Sequence, residues 1–369
     1  MSRFIEINGL RIGAGNPVYV IAELSANHGR CFEHAVELVH AAKTCGADAV
    51  KLQTYTPDTL TIDCDKEYFR IQGTLWHGRT LYDLYQEAFT PWEWQPKLKR
   101  VADELGIELF STPFDASAVD FLERVNVAAY KIASFENGDI GLLRKVAATG
   151  KPIIASTGMA TLAEINELVD TVLTAGGEQL ALLKCTSAYP APPEEMNLRA
   201  IPHLADAFDV PVGLSDHTLG AAVPIAAVTL GACIIEKHFT LSRAAGGPDS
   251  AFSLEPDEFK NMVQSIRVAE QALGTVHYGL SAAETKSRAF RRSLFVVKNI
   301  QAGETFTNEN IRSIRPGQGL HTRHLPEILG RVAARDIARG TPLAWDMVGE
   351  IASVSGANAT GVAMQGDSA

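Results

Sequence analysis

Eight short apolar runs recur along the first three quarters of this 369-residue sequence, and stretches with helical spacing separate them. The runs are VYVIAE, DAVKLQT, IELFST, AAYKIAS, PIIAST, LALLKCTS, VPVGLSD and ACIIEKH. Uninterrupted apolar strands that alternate with helices are typical of a parallel sheet covered on both faces. Eight such units between about Pro17 and Leu273 predict an α/β fold, a closed (β/α)8 TIM barrel, whose usual size is about 250 residues. An open doubly wound sheet is the competing fold, but no G-x-G-x-x-G follows the first run.

The pattern differs at the two ends of the chain. FIEI and LRIG flank Asn8-Gly9, a pair that favours a tight hairpin turn. After Thr275 the sequence alternates at strand period between Gly-containing turns, which indicates a small mainly β domain. We therefore predict a hairpin and barrel at 1–275, a linker at 276–290, a β-rich domain at 291–350 and a disordered tail at 351–369.

Composition excludes several classes of partner. Acidic residues outnumber basic ones by 43 to 33, giving a formal charge of −10, so non-specific binding to nucleic acid or an anionic membrane is not expected. No apolar run approaches the roughly 20 residues of a membrane span. The five cysteines show no C-x-x-C spacing and no signal-peptide pattern precedes them, which predicts free thiols and a cytoplasmic location.

Polar residues gather where the apolar runs end, and in a barrel these ends build the active site. They are Glu23, Lys51, Gln53, Ser111, Thr112, Lys131, Ser134, Ser156, Thr157, Lys184, Ser187, Ser215, His217, Glu236 and His238. Taken singly, each has an ordinary explanation, because lysines snorkel, histidines form structural hydrogen bonds and serines cap helices.

Taken together, the same residues predict a ligand site. Lys51, Lys131 and Lys184 converging on one rim would repel each other unless an anion neutralised them. His217 and His238 follow adjacent strands, which lie about 4.8 Å apart, so the two imidazoles can share a divalent ion. The pattern predicts a small, multiply charged anion beside a metal.

A long connection follows the second run, at 56–96, and it is rich in aromatic residues. They are Trp76, Tyr82, Tyr85, Phe89, Trp92 and Trp94. A connection of this length must fold on itself or cover a site. The sequence is compatible both with aromatic side chains that face a substrate and with aromatic side chains that form a separate small core.

The motifs IAELSANHG, GADAVKLQTY, YKIAS, ASTGM, GLSDHTLG, EKHFT, GGPDSAFSL and RPGQG resemble, in order, those of the sialic acid synthase family. That family joins phosphoenolpyruvate to an amino sugar, and its C-terminal domain is of the SAF, or antifreeze-like, type. The stretches GTLWHGRTLYDLYQEAFTPWEW and SRAAGGPDSAFSLEP are similar to the pseudaminic acid synthase branch. The implied acceptor is 2,4-diacetamido-2,4,6-trideoxy-L-altrose, and the implied product is a nine-carbon 2-keto sugar acid formed with C–O cleavage.

The resemblance also implies roles for particular residues. His217 and His238 would bind manganese, magnesium or cobalt, and Glu23 would orient the acceptor or move a proton. Phosphoenolpyruvate would be held by Lys51, Thr112, Lys131, Ser134, Ser156 and Ser215, with Ser187 replacing an asparagine that is frequent in the family. Gln53, Tyr189 and Asp249 would face the sugar. Arg315 would reach the neighbouring active site in a domain-swapped homodimer.

Other functions fit parts of the same pattern. An N-acetylneuraminate or legionaminate synthase would use a different acceptor sugar on the same site. A Schiff-base aldolase would use Lys131 or Lys184 as the nucleophile and no metal. A non-enzymatic carbohydrate- or ice-binding protein is suggested only by the C-terminal domain, and it would not need paired histidines beside lysines.

Overall fold

A computed structural model describes residues 3–351 of the chain. The chain divides into two compact units, Met1–Gly274 and Thr275–Ala369, which are described in turn. The predicted disordered tail lies outside the described residues, except for Ile351. Within residues 3–351, no helix combines the length and the apolar character that crossing a membrane requires.

The first unit is a closed barrel of eight parallel strands, as predicted. They are β3 Tyr19–Glu23, β4 Ala49–Thr54, β5 Glu108–Pro113, β6 Tyr130–Ile132, β7 Ile153–Ser156, β8 Leu180–Cys185, β9 Val212–Asp216 and β10 Ile234–His238. Each strand pairs with the next along the chain, and β10 pairs with β3 to close the barrel. All eight carboxyl ends therefore open on one face.

A ring of helices covers the barrel, and its members bury an apolar stripe against the strands. These helices are α1 Phe32–Thr44, α4 Gln95–Leu105, α5 Ala116–Val125, α6 Ile140–Ala147, α7 Leu162–Thr174, α8 Ala200–Phe208, α9 Ala222–Thr229 and α10 Pro256–Leu273. Helix α7 starts at a capping box, in which Thr161 and Glu164 satisfy each other's backbone N–H groups. Because helices cover the outside and side chains fill the inside, the strands are buried on both faces.

A two-stranded hairpin precedes the barrel. Strands β1 Phe4–Ile7 and β2 Leu10–Gly13 pair antiparallel across Asn8 and Gly9, whose φ angles are 46° and 79°. Both values are positive, as the tight hairpin turn requires. The apolar side chains of Ile5, Ile7 and Ile12 join the barrel core.

The long connection after β4 folds into short elements. It contains α2 Pro57–Leu60, a 3-10 turn at Glu67–Phe69, α3 Leu81–Ala88 and a second 3-10 turn at Trp92–Trp94. Its aromatic residues pack in two places. Trp92 and Trp94 pack on Phe121 and Phe32 of the helical ring, whereas Trp76 and Tyr85 line a cavity at the barrel mouth.

The second unit is small and rich in strands. Its elements are α11 Ala282–Ser287, β11 Ser293–Val296, β12 Ile311–Ile314, α12 Leu325–Ile328, β13 Arg331–Ala333 and β14 Val348–Ile351. Strand β11 pairs antiparallel with β12, and β13 with β14. Leu294, Ile311, Phe306 and Ile328 form a separate buried core.

Candidate active site

The period-2 alternation of the strands decides which polar residues enter the barrel. On β10, Glu236 contacts groups inside the barrel mouth, whereas Lys237 between it and His238 contacts Asp216 and Thr218. The same alternation on β9 separates Ser215 and His217 from Asp216. Of the three consecutive ionisable residues in EKH, Glu236 and His238 therefore face the barrel mouth, and Lys237 faces the opposite side of the strand.

Lys51 forms one half of a buried ionic cluster inside the mouth. Its Nζ contacts the Glu23 carboxylate, lies 3.8 Å from Glu236 Oε1 and donates to Thr112 Oγ1 at 3.3 Å. Lys51 is only 4% exposed and Glu23 only 1%, so water contributes little to their solvation. The charge of each side chain is therefore stabilised mainly by the opposite charge of the other.

Lys131 forms the other half of the cluster. Its Nζ lies 3.6 Å from Glu236 Oε1 and donates to Ser156 Oγ at 2.7 Å. Ser215 also donates to Glu236 Oε1, at 3.2 Å. Glu236 therefore lies between the two lysines and holds their ammonium groups on one side of the mouth.

Burial and charge shift the pKa values of this cluster in opposite directions. Burial raises the pKa of Glu23 to about 7, against the opposing effect of Lys51. Burial lowers the pKa of Lys131, and Glu236 offsets this only in part. For Glu236, burial raises the pKa, but Lys131 and Lys51 outweigh it and the pKa is lowered. Glu23 is therefore the carboxyl group of this cluster that is close to exchanging a proton at neutral pH.

Serine hydroxyls beside Lys131 form a small polar cradle. Gly158 N–H donates to Ser134 Oγ at 3.1 Å, and a Cβ atom at position 158 would collide with the hydroxyls of both Ser134 and Ser187. Only glycine leaves this space open. The structure thus brings Ser134 and Ser187 together at Gly158, two residues after Ser156, whose hydroxyl accepts from Lys131.

Lys184 does not join the other two lysines. Its Nζ donates to Cys185 O at 2.8 Å and Thr186 Oγ1 at 3.4 Å. The neighbouring Cys185 side chain lies 3.9 Å from His217 Nδ1 inside the mouth, and consecutive strand residues point to opposite faces. The expectation of three converging lysines is therefore wrong, and two remain. Ser111 is likewise turned away, since its hydroxyl bonds Thr54 Oγ1 at 2.6 Å.

His217 and His238 lie side by side, with ring centroids 5.3 Å apart. His217 Nδ1 contacts Thr186 O at 3.0 Å, which leaves its other ring nitrogen for a ligand. His238 Nδ1 is buried without a hydrogen-bond partner. Between residues 3 and 351 no cluster of three or more His, Cys, Asp or Glu side chains is arranged to hold a metal. The pair fits a metal with two protein nitrogens and open positions for other ligands.

A cavity of about 340 Å³ is lined in part by His238, and its walls combine polar and aromatic side chains. Its walls include Gln53, Trp76, Tyr85, Glu136, Tyr189 and Asp249. Tyr189 packs on His217 with ring centroids 4.4 Å apart, and Trp76 packs on Tyr189 at 5.8 Å. Trp76 Nε1 also donates to Pro248 O at 3.0 Å, which attaches the long connection to the loop that carries Asp249. The cavity can enclose a molecule with both apolar and polar substituents.

Three residues of this mouth were not singled out for a role by the sequence. Glu236 bridges the two lysines, and its position on the same face as His238 is the signal that could have identified it. Glu136 lines the cavity with an unpartnered Oε2, and burial raises its pKa to about 7. Ser25 bonds the Asp249 carboxylate from 224 positions away, which no local pattern reveals.

Arg315, the remaining predicted site residue, lies in the second unit. It follows β12 and is exposed. Its predicted role in a neighbouring active site stays a prediction.

The fold and the mouth geometry define a (β/α)8-barrel protein with two buried lysines, a histidine pair and a cavity at one end. The profile of the NeuB family matches residues 38–278, and that of the SAF domain matches residues 291–349. The chain belongs to the NeuB family, which confirms its assignment to the sialic acid synthases, and it carries the expected SAF domain.

Individual relatives agree with this assignment. The chain is 48% identical over 326 residues to a pseudaminic acid synthase of Campylobacter jejuni, covering 88% of this chain and 95% of that one. It is 46% identical over 331 residues to a pseudaminic acid synthase of Helicobacter pylori, covering 89% and 97%. Among solved structures, the spore coat polysaccharide biosynthesis protein SpsE of Bacillus subtilis superposes with a TM-score of 0.65 at 36% identity, covering 94% and 99%.

Proposed function

We propose that this protein is a pseudaminic acid synthase. It would condense phosphoenolpyruvate with 2,4-diacetamido-2,4,6-trideoxy-L-altrose and water, and release phosphate. The observation that carries this proposal is the 46–48% identity to two pseudaminic acid synthases over nearly nine tenths of the chain. The paired lysines, the histidine pair and the cavity supply the chemistry that such a reaction needs.

The lysine side of the mouth suits phosphoenolpyruvate. Lys51 and Lys131 present two ammonium groups to an anion, and hydroxyls converge beside them from Thr112, Ser134, Ser156, Ser187 and Ser215. Phosphate and carboxylate groups form their strongest hydrogen bonds with cationic donors. An incoming anion would share the lysines with Glu23 and Glu236, so these carboxylates keep the site charge-balanced before the substrate arrives.

The cavity side suits the sugar. Gln53, Tyr189 and Asp249 offer polar contacts for hydroxyl and amide groups, whereas Trp76 and Tyr85 offer surfaces for a methyl group and N-acetyl groups. Holding both substrates side by side provides the near-attack geometry on which such condensations depend.

The bonds that change are few. The C3 carbon of phosphoenolpyruvate forms a carbon–carbon bond with the aldehyde carbon of the open-chain sugar, and the aldehyde oxygen takes a proton. Water adds at C2 and loses one proton, which balances the proton taken by the aldehyde oxygen. The C2–O bond to phosphate then breaks, while the C2 hydroxyl becomes the keto group and its proton leaves with the phosphate. Glu23, with a pKa of about 7, is the residue we assign to hold or deliver a proton on the acceptor side.

We propose that His217 and His238 hold a divalent ion, Mn²⁺, Mg²⁺ or Co²⁺. When bound, such an ion supplies Lewis-acid polarisation of a substrate oxygen. The fit depends on the unpartnered His238 nitrogen and on the adjacent His217 ring.

A phosphate-release assay tests the function directly. The protein would be stripped with EDTA and incubated with phosphoenolpyruvate and one of several acceptor hexoses, with and without added divalent cation. We expect release with the diacetamido-trideoxy-altrose acceptor and dependence on the cation. Release only with N-acetylmannosamine, or only with a legionaminate precursor, would move the protein to another branch. No release with any acceptor would overturn the proposed function.

We further propose a cytoplasmic homodimer in which Arg315 acts on the partner's barrel. The five cysteines are free, as a reducing compartment requires. Phe135, Met159 and Leu219 follow barrel strands and are 63–64% exposed, so apolar side chains are available for a partner around the barrel mouth.

Mixing two inactive variants tests this exchange. Arg315→Ala chains and Lys131→Met chains would be assayed alone and after joint refolding. If Arg315 acts in trans, mixed dimers contain one complete site, and about a quarter of the wild-type activity returns on random pairing. No recovery, with mixed dimers shown to form, would contradict the exchange.

A further inference from the structure

We propose that Ser25 is a positioning residue for the acceptor sugar, because its hydroxyl fixes the Asp249 carboxylate and the Gln53 amide on one wall of the cavity. This inference rests on the proposed function, since it assigns Ser25 to the sugar side of that reaction. Three observations carry it.

The first observation is the backbone of Ser25. Its φ is 44°, in the left-handed region that residues with a Cβ avoid at a cost of about 1–2 kcal/mol. Between residues 3 and 351, seven non-glycine residues have positive φ, and Ser25 is the buried one among them, at 1% exposure. Glycine would adopt this conformation without strain. A side chain kept at such a position indicates that the side chain itself is needed.

The second observation is what the hydroxyl contacts. Ser25 Oγ donates to Asp249 Oδ2 and accepts a hydrogen bond from Gln53 Nε2 at 3.1 Å. The same Gln53 nitrogen donates to Glu23 Oε1 at 3.0 Å. Ser25 therefore links Gln53 of β4 to the loop after β10, and Gln53 extends this network to Glu23 of β3.

The third observation is the environment of the Asp249 carboxylate. Burial raises its pKa, whereas the hydrogen bonds from Ser25 Oγ and the Ala26 N–H lower it. Asp249 and Gln53 both line the cavity. Without the Ser25 hydroxyl, Asp249 would keep one of these two donors, and the Gln53 amide would lose its acceptor on that side.

The physical consequence falls mainly on the acceptor, because Ser25 reaches Lys51 only indirectly, through Gln53 and Glu23. In the part of the chain that the structure describes, the Ser25 side chain forms no hydrogen bond with Lys131, Ser156 or Ser134. Hydrogen bonds to a buried charged group change an equilibrium by roughly 10-fold to 100-fold. Removing the hydroxyl should raise the KM for the acceptor by about 10-fold or more, and it should leave the KM for phosphoenolpyruvate within about threefold.

Two variants separate the hydroxyl from the backbone. Ser25→Gly removes the hydroxyl and relieves the left-handed strain, whereas Ser25→Ala removes the hydroxyl and keeps the strain. We expect both to raise the acceptor KM by a similar factor and to spare the phosphoenolpyruvate KM. We expect Ser25→Gly to unfold at a denaturant concentration equal to or above that of Ser25→Ala.

The outcomes decide between this role and a purely structural one. An acceptor KM of Ser25→Gly within threefold of wild type would overturn the proposal, as would an equal rise in both KM values for either variant. Kinetics with the diacetamido-trideoxy-altrose acceptor are measured on the wild type first. A wild type that uses no acceptor refutes the proposed function itself, whereas an active wild type with an unaffected Ser25→Gly refutes only the role of Ser25.

Discussion

Strands β9 and β10 carry two buried ionic clusters on opposite faces. The polar atoms of the outer cluster all have hydrogen-bond partners in the protein, whereas some of those in the inner cluster do not. On the outer face, Lys237 Nζ lies 2.5 Å from Asp216 Oδ2, and both side chains are fully buried. Asp216 Oδ1 accepts from the Thr218 N–H at 3.0 Å, and Lys237 also donates to Thr218 O. Both residues of this pair are held by protein groups.

On the inner face, the cluster around Glu236 contains polar atoms that have no hydrogen-bond partner in the protein. Glu236 Oε2 and His238 Nδ1 are buried without a hydrogen-bond partner, although Lys51 and Lys131 lie close by. Unpartnered buried polar atoms cost stability, so they persist where a ligand completes them. The same two strands therefore hold a fully paired ion pair on one face, and on the other face they present polar groups that the proposed substrates could complete.

The largest expected effect comes from breaking the outer pair. Lys237→Met leaves the Asp216 carboxylate buried and uncompensated, which should lower the free energy of unfolding of the barrel by about 3–5 kcal/mol. Denaturant titration measures this change. The double variant Asp216→Asn/Lys237→Met should recover at least half of the loss, because no buried charge remains. A single variant as stable as wild type would show that the outer pair does not stabilise the barrel.

An intermediate effect, on activity, comes from removing an inner lysine. Lys131→Met should lower kcat/KM by about 10²–10³-fold, because a preorganised cationic donor to the substrate is lost. The free energy of unfolding should fall by less than it does for Lys237→Met, because Lys51 stays 3.8 Å from Glu236 and still compensates its charge. Steady-state kinetics and denaturant titration of the same preparation test both statements. Loss of stability without loss of activity would remove the distinction between the two faces.

The smallest expected effect is a pH dependence of stability from Glu136 on the cavity wall. Its pKa rises from 4.5 to about 7 on folding, mainly through burial, so the folded protein binds the proton more tightly than the unfolded chain. The contribution of this carboxyl to stability should therefore decline by about 1–3 kcal/mol as the pH rises from about 4.5 to above 7.

The Glu136→Gln variant should not show this decline. The difference in unfolding free energy between variant and wild type is measured across that pH window, with Glu178→Gln, at an exposed position, as the matched control. A difference for Glu136→Gln that is as flat as the control's would contradict the raised pKa.

Much of the site was predictable because it follows from alternation along strands. The sequence placed Lys51, Lys131, His217 and His238 at the carboxyl ends of barrel strands, and the structure brings these four together. The same alternation, applied to β8, would also have turned Lys184 outward, since Cys185 and Lys184 cannot both face the mouth. The prediction for Lys184 was wrong because it assumed that every polar residue at a strand end faces the mouth, whereas successive side chains point to opposite faces.

The sequence by itself determined the barrel, the position of its mouth and the family, because eight apolar runs and a series of local motifs are properties of neighbouring residues. Only the tertiary structure decided that Glu236 lies between two lysines, that Glu136 lines the cavity, and that Ser25 bonds Asp249. These contacts join different strands and loops, so they depend on the stagger of the strands and on the paths of the loops. Closure of the barrel sets both, and no local pattern encodes them.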